Sequence, residues 1–301
     1  NISKKQITGT ITAQDKVYDG TTNANVSGSL NGVIQDDVVN LNAQGQFADK
    51  NAGLGKNVNI SGSLNGTDAG NYELQTNHVT QANISKKQIS GTLTAQDKIY
   101  DGTTHAIVNG SLNREEVIAG DQVAVGGSGH FIDKNAGENK VVNASSSLIG
   151  DDAMNYELTT NGQVTANISK KQITGTITAQ DKVYDGTTNA NVSGSLNGVI
   201  QDDVVNLNAQ GQFADKNAGS GKSVNVSGSL SGGDSSNYEL SATNHVTQAN
   251  ISKKQITGTI TAQDKVYDGT TNANVSGSLN GVIQDDVVNL NAQGQFADKN
   301  A

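Results

Sequence analysis

Apolar and polar letters alternate with period two over most of this chain, the pattern of strands with one buried face. Near the start, Ile7, Gly9, Ile11 and Ala13 fall on one face and Thr8, Thr10 and Thr12 on the other. The pattern returns over Val26, Gly28 and Leu30, over Val39, Leu41 and Ala43, over Val58, Ile60, Gly62 and Leu64, and over Tyr72 and Leu74. Turn-forming letters separate these runs: Asp19-Gly20, Asn31-Gly32, Asn51-Ala52-Gly53, Asn65-Gly66 and Ala69-Gly70-Asn71. No stretch of ten or more residues carries helical spacing. The pattern predicts six or seven short strands, then begins again.

The phrase ISKKQI starts at Ile2, Ile84, Ile168 and Ile251. Three full copies and the front of a fourth follow, here 1–83, 84–167, 168–250 and 251–301. Copies 1, 3 and 4 share a letter-identical opening stretch, and the copy from Ile84 diverges. A unit of this size is too long for one turn of a solenoid, so each copy is expected to be a small domain. The fold class is therefore all-β: a tandem array of β-sandwich domains of immunoglobulin-like size forming an elongated rod, with β-grasp-like units as the alternative. The core is thin. In the first copy it is expected to comprise Ile7, Ile11, Val17, Tyr18, Val26, Leu30, Val39, Leu41, Phe47, Val58, Ile60, Leu64, Tyr72, Leu74, Val79 and Ile84, anchored by Tyr18, Phe47 and Tyr72.

Composition narrows the function more than the fold. The 301 residues include 35 Gly and no Pro, Cys or Trp, so thiol chemistry, disulfides and cysteine-ligated metals are excluded. A formal charge of −9 with 20 Lys plus Arg argues against nucleic acid, whose binding draws on clustered cations. No run of about 20 apolar residues could cross a membrane. The sequence begins and stops inside a repeat, which reads as a piece of a longer chain.

The stretch DKVYDGTT at 15–22 returns at 97 (with Ile99 for Val), 181 and 264, placing Tyr18-Asp19-Gly20, Tyr100-Asp101-Gly102, Tyr184-Asp185-Gly186 and Tyr267-Asp268-Gly269 in register. Asp-Gly supplies the backbone angles of a tight turn, Val-Tyr sets a ring against a sheet, and the Thr pair re-enters β structure. A structural joint is the reading, because catalysis needs a nucleophile, an oriented base and a partner converging in a pocket. No histidine is common to the complete copies: His78 and His245 match, while His105 and His130 occur only in the second copy.

The order VYDGTT, ADKNAG, GKNVNISGSLNGTDAGNYEL and ISKK resembles the YDG repeat of very large bacterial surface proteins of the filamentous-haemagglutinin type. The resemblance implies a mostly β, extracellular repeat on the bacterial cell surface, present in many copies in adhesins.

Remaining constellations are weighed copy against copy. Asp36 and Asp37 pair as carboxylates, as do Asp202-Asp203 and Asp285-Asp286, yet the second copy keeps only Asp121 there. With Asp68 in NGTDAGN and Asp234 in GGDSSN they are the calcium candidates, calcium being the one cofactor considered; ordinary polar turns are the competing reading. Lys50, Lys134, Lys216 and Lys299 in DKNA are expected in exposed turns rather than in a Lys–Asn cross-link, which would need a desolvated, neutral amine. Asn-x-Ser/Thr sequons such as Asn25, Asn59 and Asn83 mark glycan acceptors only where a transferase is met. Lysine pairs such as Lys4-Lys5 and Lys86-Lys87 guard strand edges.

The sequence-level function is that of stalk repeats in an adhesin, not an enzyme, whose partners are the neighbouring repeats of the same chain. The alternatives are self-association into filaments or matrix, and weak multivalent binding of a host or matrix glycan through a face bearing Thr8, Thr10, Thr12, Asn40 and Asn42.

Overall fold

A computed structural model describes residues 1–300. The chain divides into two compact units, Asn1–Lys98 with Thr103–Ser169, and Ile99–Gly102 with Lys170–Ala301. The first contains nearly all of the first two repeats, the second nearly all of the third and the start of the fourth.

In the first repeat the strands are β1 (Lys5–Ala13), β2 (Lys16–Val17), β3 (Asn23–Ala24), β4 (Val26–Asn31), β5 (Asn40–Phe47), β6 (Gly53–Asn65), β7 (Tyr72–Thr76) and β8 (Val79–Ser85). They form two sheets. One has the order β4-β1-β7, with β1 antiparallel to β4 and parallel to β7. The other has the order β2-β8-β6-β5-β3, antiparallel except for the short β2–β8 pair. The faces of Ile11 from the first sheet and Phe47, Val58, Ile60, Ala82 and Ile84 from the second share one core, which makes the unit a sandwich. No α-helix occurs among the described residues, so the β-grasp alternative, which needs a helix on its sheet, does not fit.

Period two is obeyed where the strands are long. Ile7, Gly9 and Ile11 point inward from β1 while Thr8, Thr10 and Thr12 face solvent. Two expected core residues are misplaced: Val17 and Val79 are exposed. Val17 lies at the end of the two-residue β2, beside Tyr18, which takes the inward position instead. Val79 opens β8 on the face opposite Ala82 and Ile84, and Ala82 is the buried residue the pattern passed over. The Asn65-Gly66 turn requires its glycine, since φ is +117° and a Cβ would stand 2.2 Å from the Val38 carbonyl oxygen.

The architecture recurs. In the second repeat Val108–Leu112, Lys87–Ala95 and Tyr156–Thr160 form the smaller sheet, and Val164–Ser169, Gly137–Ile149, Ala124–Phe131 and His105–Ala106 follow in that order in the larger one. In the third, the counterpart of β3 is reduced to a single bridge from Asn189 to Gln212. The fourth contains the pairs Thr257–Ala262 with Val275–Asn280 and Asn272–Ala273 with Gly294–Gln295.

Candidate functional site: the joint between repeats

The DKVYDGTT stretch links β2 and β3, which lie on opposite edges of the same five-stranded sheet. The chain crosses the end of the sheet here, so the segment is not a hairpin turn between paired strands. Only Gly20 takes a positive φ, +77°; Asp19 does not. Asp19 instead accepts from the Thr21 amide and hydroxyl, both at 2.9 Å, and from Lys16 Nζ at 2.7 Å. Lys16 also donates to the carbonyls of Thr21 and Asn23 and lies 5.5 Å from the centre of the Phe47 ring. The loop is thus tied around one ammonium group. The same bonds recur at Lys182–Asp185–Thr187 and Lys265–Asp268–Thr270, and they pull the Asp185 and Asp268 carboxyls down to about 2.

This wrapping leaves the neighbouring tyrosine on the far side of the loop, facing the next repeat. Tyr18 is 1% exposed, and its hydroxyl donates to Asp121 Oδ2 of the second repeat at 2.7 Å. The Tyr156 hydroxyl donates to the same oxygen at 2.7 Å, and the Tyr18 and Tyr156 rings meet edge to face with centroids 5.4 Å apart. Lys50 reaches across to Asp121 at 3.0 Å and to Asp152 at 3.2 Å, with its ammonium 5.9 Å from the Tyr18 ring. The side chain of Asp121 is 4% exposed, so its charge is held by these three donors rather than by water.

A second set of bonds lies beside the first. The Ala52 amide donates to Asn155 Oδ1 at 2.9 Å, and Asn155 Nδ2 donates to Asn51 Oδ1 at 3.2 Å. Asn155 is fully buried, whereas its counterpart Asn71 in the first repeat is exposed. Gly20 has a second reason to be glycine: a Cβ there would lie 2.8 Å from Ile118 Cγ2 of the second repeat. Apolar packing is continuous across the boundary, because Ile89, Val123 and Tyr156 belong to the same core cluster as Ile11, Tyr18, Phe47 and Val58.

Within the second unit the pattern repeats. The Tyr100 hydroxyl donates to Asp203 at 2.8 Å and its ring meets Tyr238 edge to face at 5.4 Å. Tyr184 and Lys216 both donate to Asp286, at 2.9 and 3.1 Å, and Gly186 sits against Ile283. Tyr267, in the fourth repeat, is 63% exposed.

Burial pushes the Asp121 carboxyl up, but the Tyr156 and Tyr18 hydroxyls and Lys50 outweigh it and hold the group below the ordinary carboxylate range. Burial, then Asp121, pushes Tyr18 and Tyr156 up. Asp121, Tyr18 and Asp152 together raise Lys50. A raised lysine beside a lowered aspartate is the reverse of what amide formation needs. Lys50 is therefore not a cross-linking amine; it lies in a bend with its side chain 38% exposed, near what its sequence context implied, and from there pairs with Asp121 and Asp152 of the next repeat.

All four domains match one family, the YDG domain, over residues 3–79, 85–164, 169–245 and 252–301. The chain belongs to the YDG domain family. No curated protein matches it in sequence. Among solved structures, FdeC, a broadly conserved Escherichia coli adhesin, aligns with 80% of this chain and 96% of its own at 10% identity and a TM-score of 0.23, too slight a likeness to bear on fold or function.

The YDG signature thus places Tyr18, Asp19 and Gly20 at three different tasks: contact with the next repeat, closure of the loop, and clearance for Ile118. The calcium candidates do other work. Asp37 accepts from the Tyr72 hydroxyl, Asp68 from the Val38 amide at 2.9 Å, and Asp234 from the Val204 amide at 2.9 Å. Asp36 is exposed with φ of 75°. No group of three or more His, Asp or Glu side chains gathers among the described residues. The sequon residue Asn83 is committed to structure: its amide groups donate to Asp15 and its oxygen accepts from Gly55.

One pH expectation follows. Asp121 has a lowered pKa in the folded state, so its contribution is complete above the unfolded value of about 3.9 and is lost as pH falls through the folded value. Thermal melts should show Asp121→Asn losing less stability than the parent between about pH 5 and pH 2, and equal acid losses would contradict the assignment.

Proposed function

We propose that these YDG repeats are spacer units in the stalk of a large bacterial cell-surface adhesin, displaying a distal binding region at a distance set by repeat number. The observation that carries this reading is the joint at Asp121, where one carboxylate takes Tyr18 and Lys50 from the preceding repeat and Tyr156 from its own. A joint that shares both core and polar bonds resists bending, as a spacer requires, and its chemistry calls for no reacting group. A flexible Gly/Ser-rich linker is absent from the run VTQANISKKQISGT that joins the first two repeats. Extracellular placement and the filamentous-haemagglutinin context belong to this proposal, supported by the motif order described above. No helix among the described residues is long and apolar enough to cross a membrane.

Small-angle X-ray scattering over a concentration series, with and without chelator, tests the reading. A monomeric particle lengthened by roughly 30 to 40 Å per repeat and indifferent to chelator is expected. A flexible or compact particle contradicts it, and mass that grows with concentration favours self-assembly instead.

One observation favours a second reading, weak glycan binding. A groove of about 710 Å³ lined by uncharged amides, including Asn189, Asn191, Gln210, Gln212 and Asn225, recurs in the first repeat around Asn23, Asn25, Gln44, Gln46 and Asn59. Retention of a neutral glycan by the chain, lost on Gln46→Ala and Gln212→Ala together, would support it.

A further inference from the structure

Two histidines of the second repeat have no part in the joint. His105 lies on the two-residue edge strand His105–Ala106 and pairs directly across from His130 on Ala124–Phe131. Both side chains lie on the solvent face, and their ring centroids are 6.1 Å apart. The equivalent pairs in the other repeats are Asn23 with Gln46, Asn189 with Gln212 and Asn272 with Gln295. Facing imidazoles are thus a property of the divergent repeat alone. The chain's two remaining histidines, His78 and His245, lie in turns of different repeats, with no second imidazole opposite.

From this geometry we infer that His105 and His130 form a two-imidazole site for a late first-row divalent cation such as Zn²⁺, with water completing the coordination. Neutral imidazole is a preferred ligand for these ions, and directly opposed residues on antiparallel strands carry their side chains to the same side. An ion about 2.1 Å from one nitrogen of each ring holds the centroids roughly 5 to 6 Å apart. The observed separation of 6.1 Å lies just beyond that range. Two protein ligands make a weak, open site rather than a closed structural one, and binding would clip the short edge strand to its neighbour. The neighbouring Asn143, opposite His130 on Gly137–Ile149, is uncharged, and the ammonium beside the pair, Lys98, is held by the carbonyls of Thr103 and His105.

The test is a Zn²⁺ titration of the full chain near neutral pH, followed by NMR of the four histidine ring protons. His105 and His130 are expected to shift together along one saturable curve while His78 and His245 stay in place. His105→Asn and His130→Gln install residues the other repeats already use, so the fold is preserved, and each should weaken binding about tenfold or more. Asn23→His with Gln46→His should create a second site in the first repeat. The inference is overturned if all four histidines respond along one common weak curve, if either single variant leaves the affinity unchanged, or if the grafted pair binds nothing.

Discussion

Asp121→Ala is expected to cost about 3 to 5 kcal/mol, the range for removing one partner from a buried charged cluster. The substitution removes the acceptor of two tyrosine hydroxyls and one ammonium at once; the buried Tyr18 and Tyr156 hydroxyls carry most of the loss, because Lys50 is 38% exposed and keeps Asp152. The side chain is 4% exposed, so water cannot readily replace the lost acceptor. Hydrogen exchange in the full chain should show loss of protection on both sides of the first joint, at the ends of β2 and β8 and in the Ala153–Asn155 turn. Asp286→Ala provides the comparison: that carboxylate is more open, at 17% exposed, and among the described residues accepts from Tyr184 and Lys216, so its loss should be smaller. Equal effects, or a loss at Asp121 under about 1 kcal/mol, the level of an exposed pair, would contradict the account.

Phe47→Ala is expected to be comparably damaging, about 3 to 5 kcal/mol from lost burial and the cavity left behind. Phe47 is 3% exposed and touches the cluster that runs from Ile11 and Val58 into Ile89 and Tyr156 of the next repeat. Its loss should therefore reduce exchange protection in Lys87–Ala95 as well as in its own sheet. Phe296 occupies the same sequence position in the fourth repeat but is 38% exposed. Phe296→Ala should shift the urea midpoint far less. If Phe47→Ala spared the second repeat entirely, the packing across the boundary would not be coupling the two domains.

The strands were the most legible part of this sequence. On β1 and β6 the alternation of Ile7, Gly9, Ile11 and of Val58, Ile60 is long enough to fix which face is buried. It misled at Val17 and Val79, where a two-residue strand or a strand's first residue has too few neighbours to set a phase. Ala82 was missed because a small side chain leaves a weak signal even when fully packed. The YDG stretch was legible from its recurrence as a structural turn, but its contact with the next repeat was not, because Tyr18 and Asp121 are 103 positions apart. A usable clue did exist. The divergent second repeat drops one aspartate of the Asp36-Asp37 pair and keeps the other as Asp121, which is the acceptor; reading that pair as two equivalent carboxylates obscured it. The turn at Lys50 was legible in DKNA, but its ion pairs were not, for a related reason: only the neighbouring repeat supplies Asp121 and Asp152.

The central claim is that the YDG tyrosine bonds to the next repeat's aspartate and that this bond holds the repeats together. A double-mutant cycle with Tyr18→Phe and Asp121→Asn, read by urea denaturation of the full chain, tests it most directly. The account predicts a coupling energy of about 1 to 3 kcal/mol between the two positions, as for residues sharing one hydrogen-bond network. Additive losses, with a coupling near zero, would contradict it.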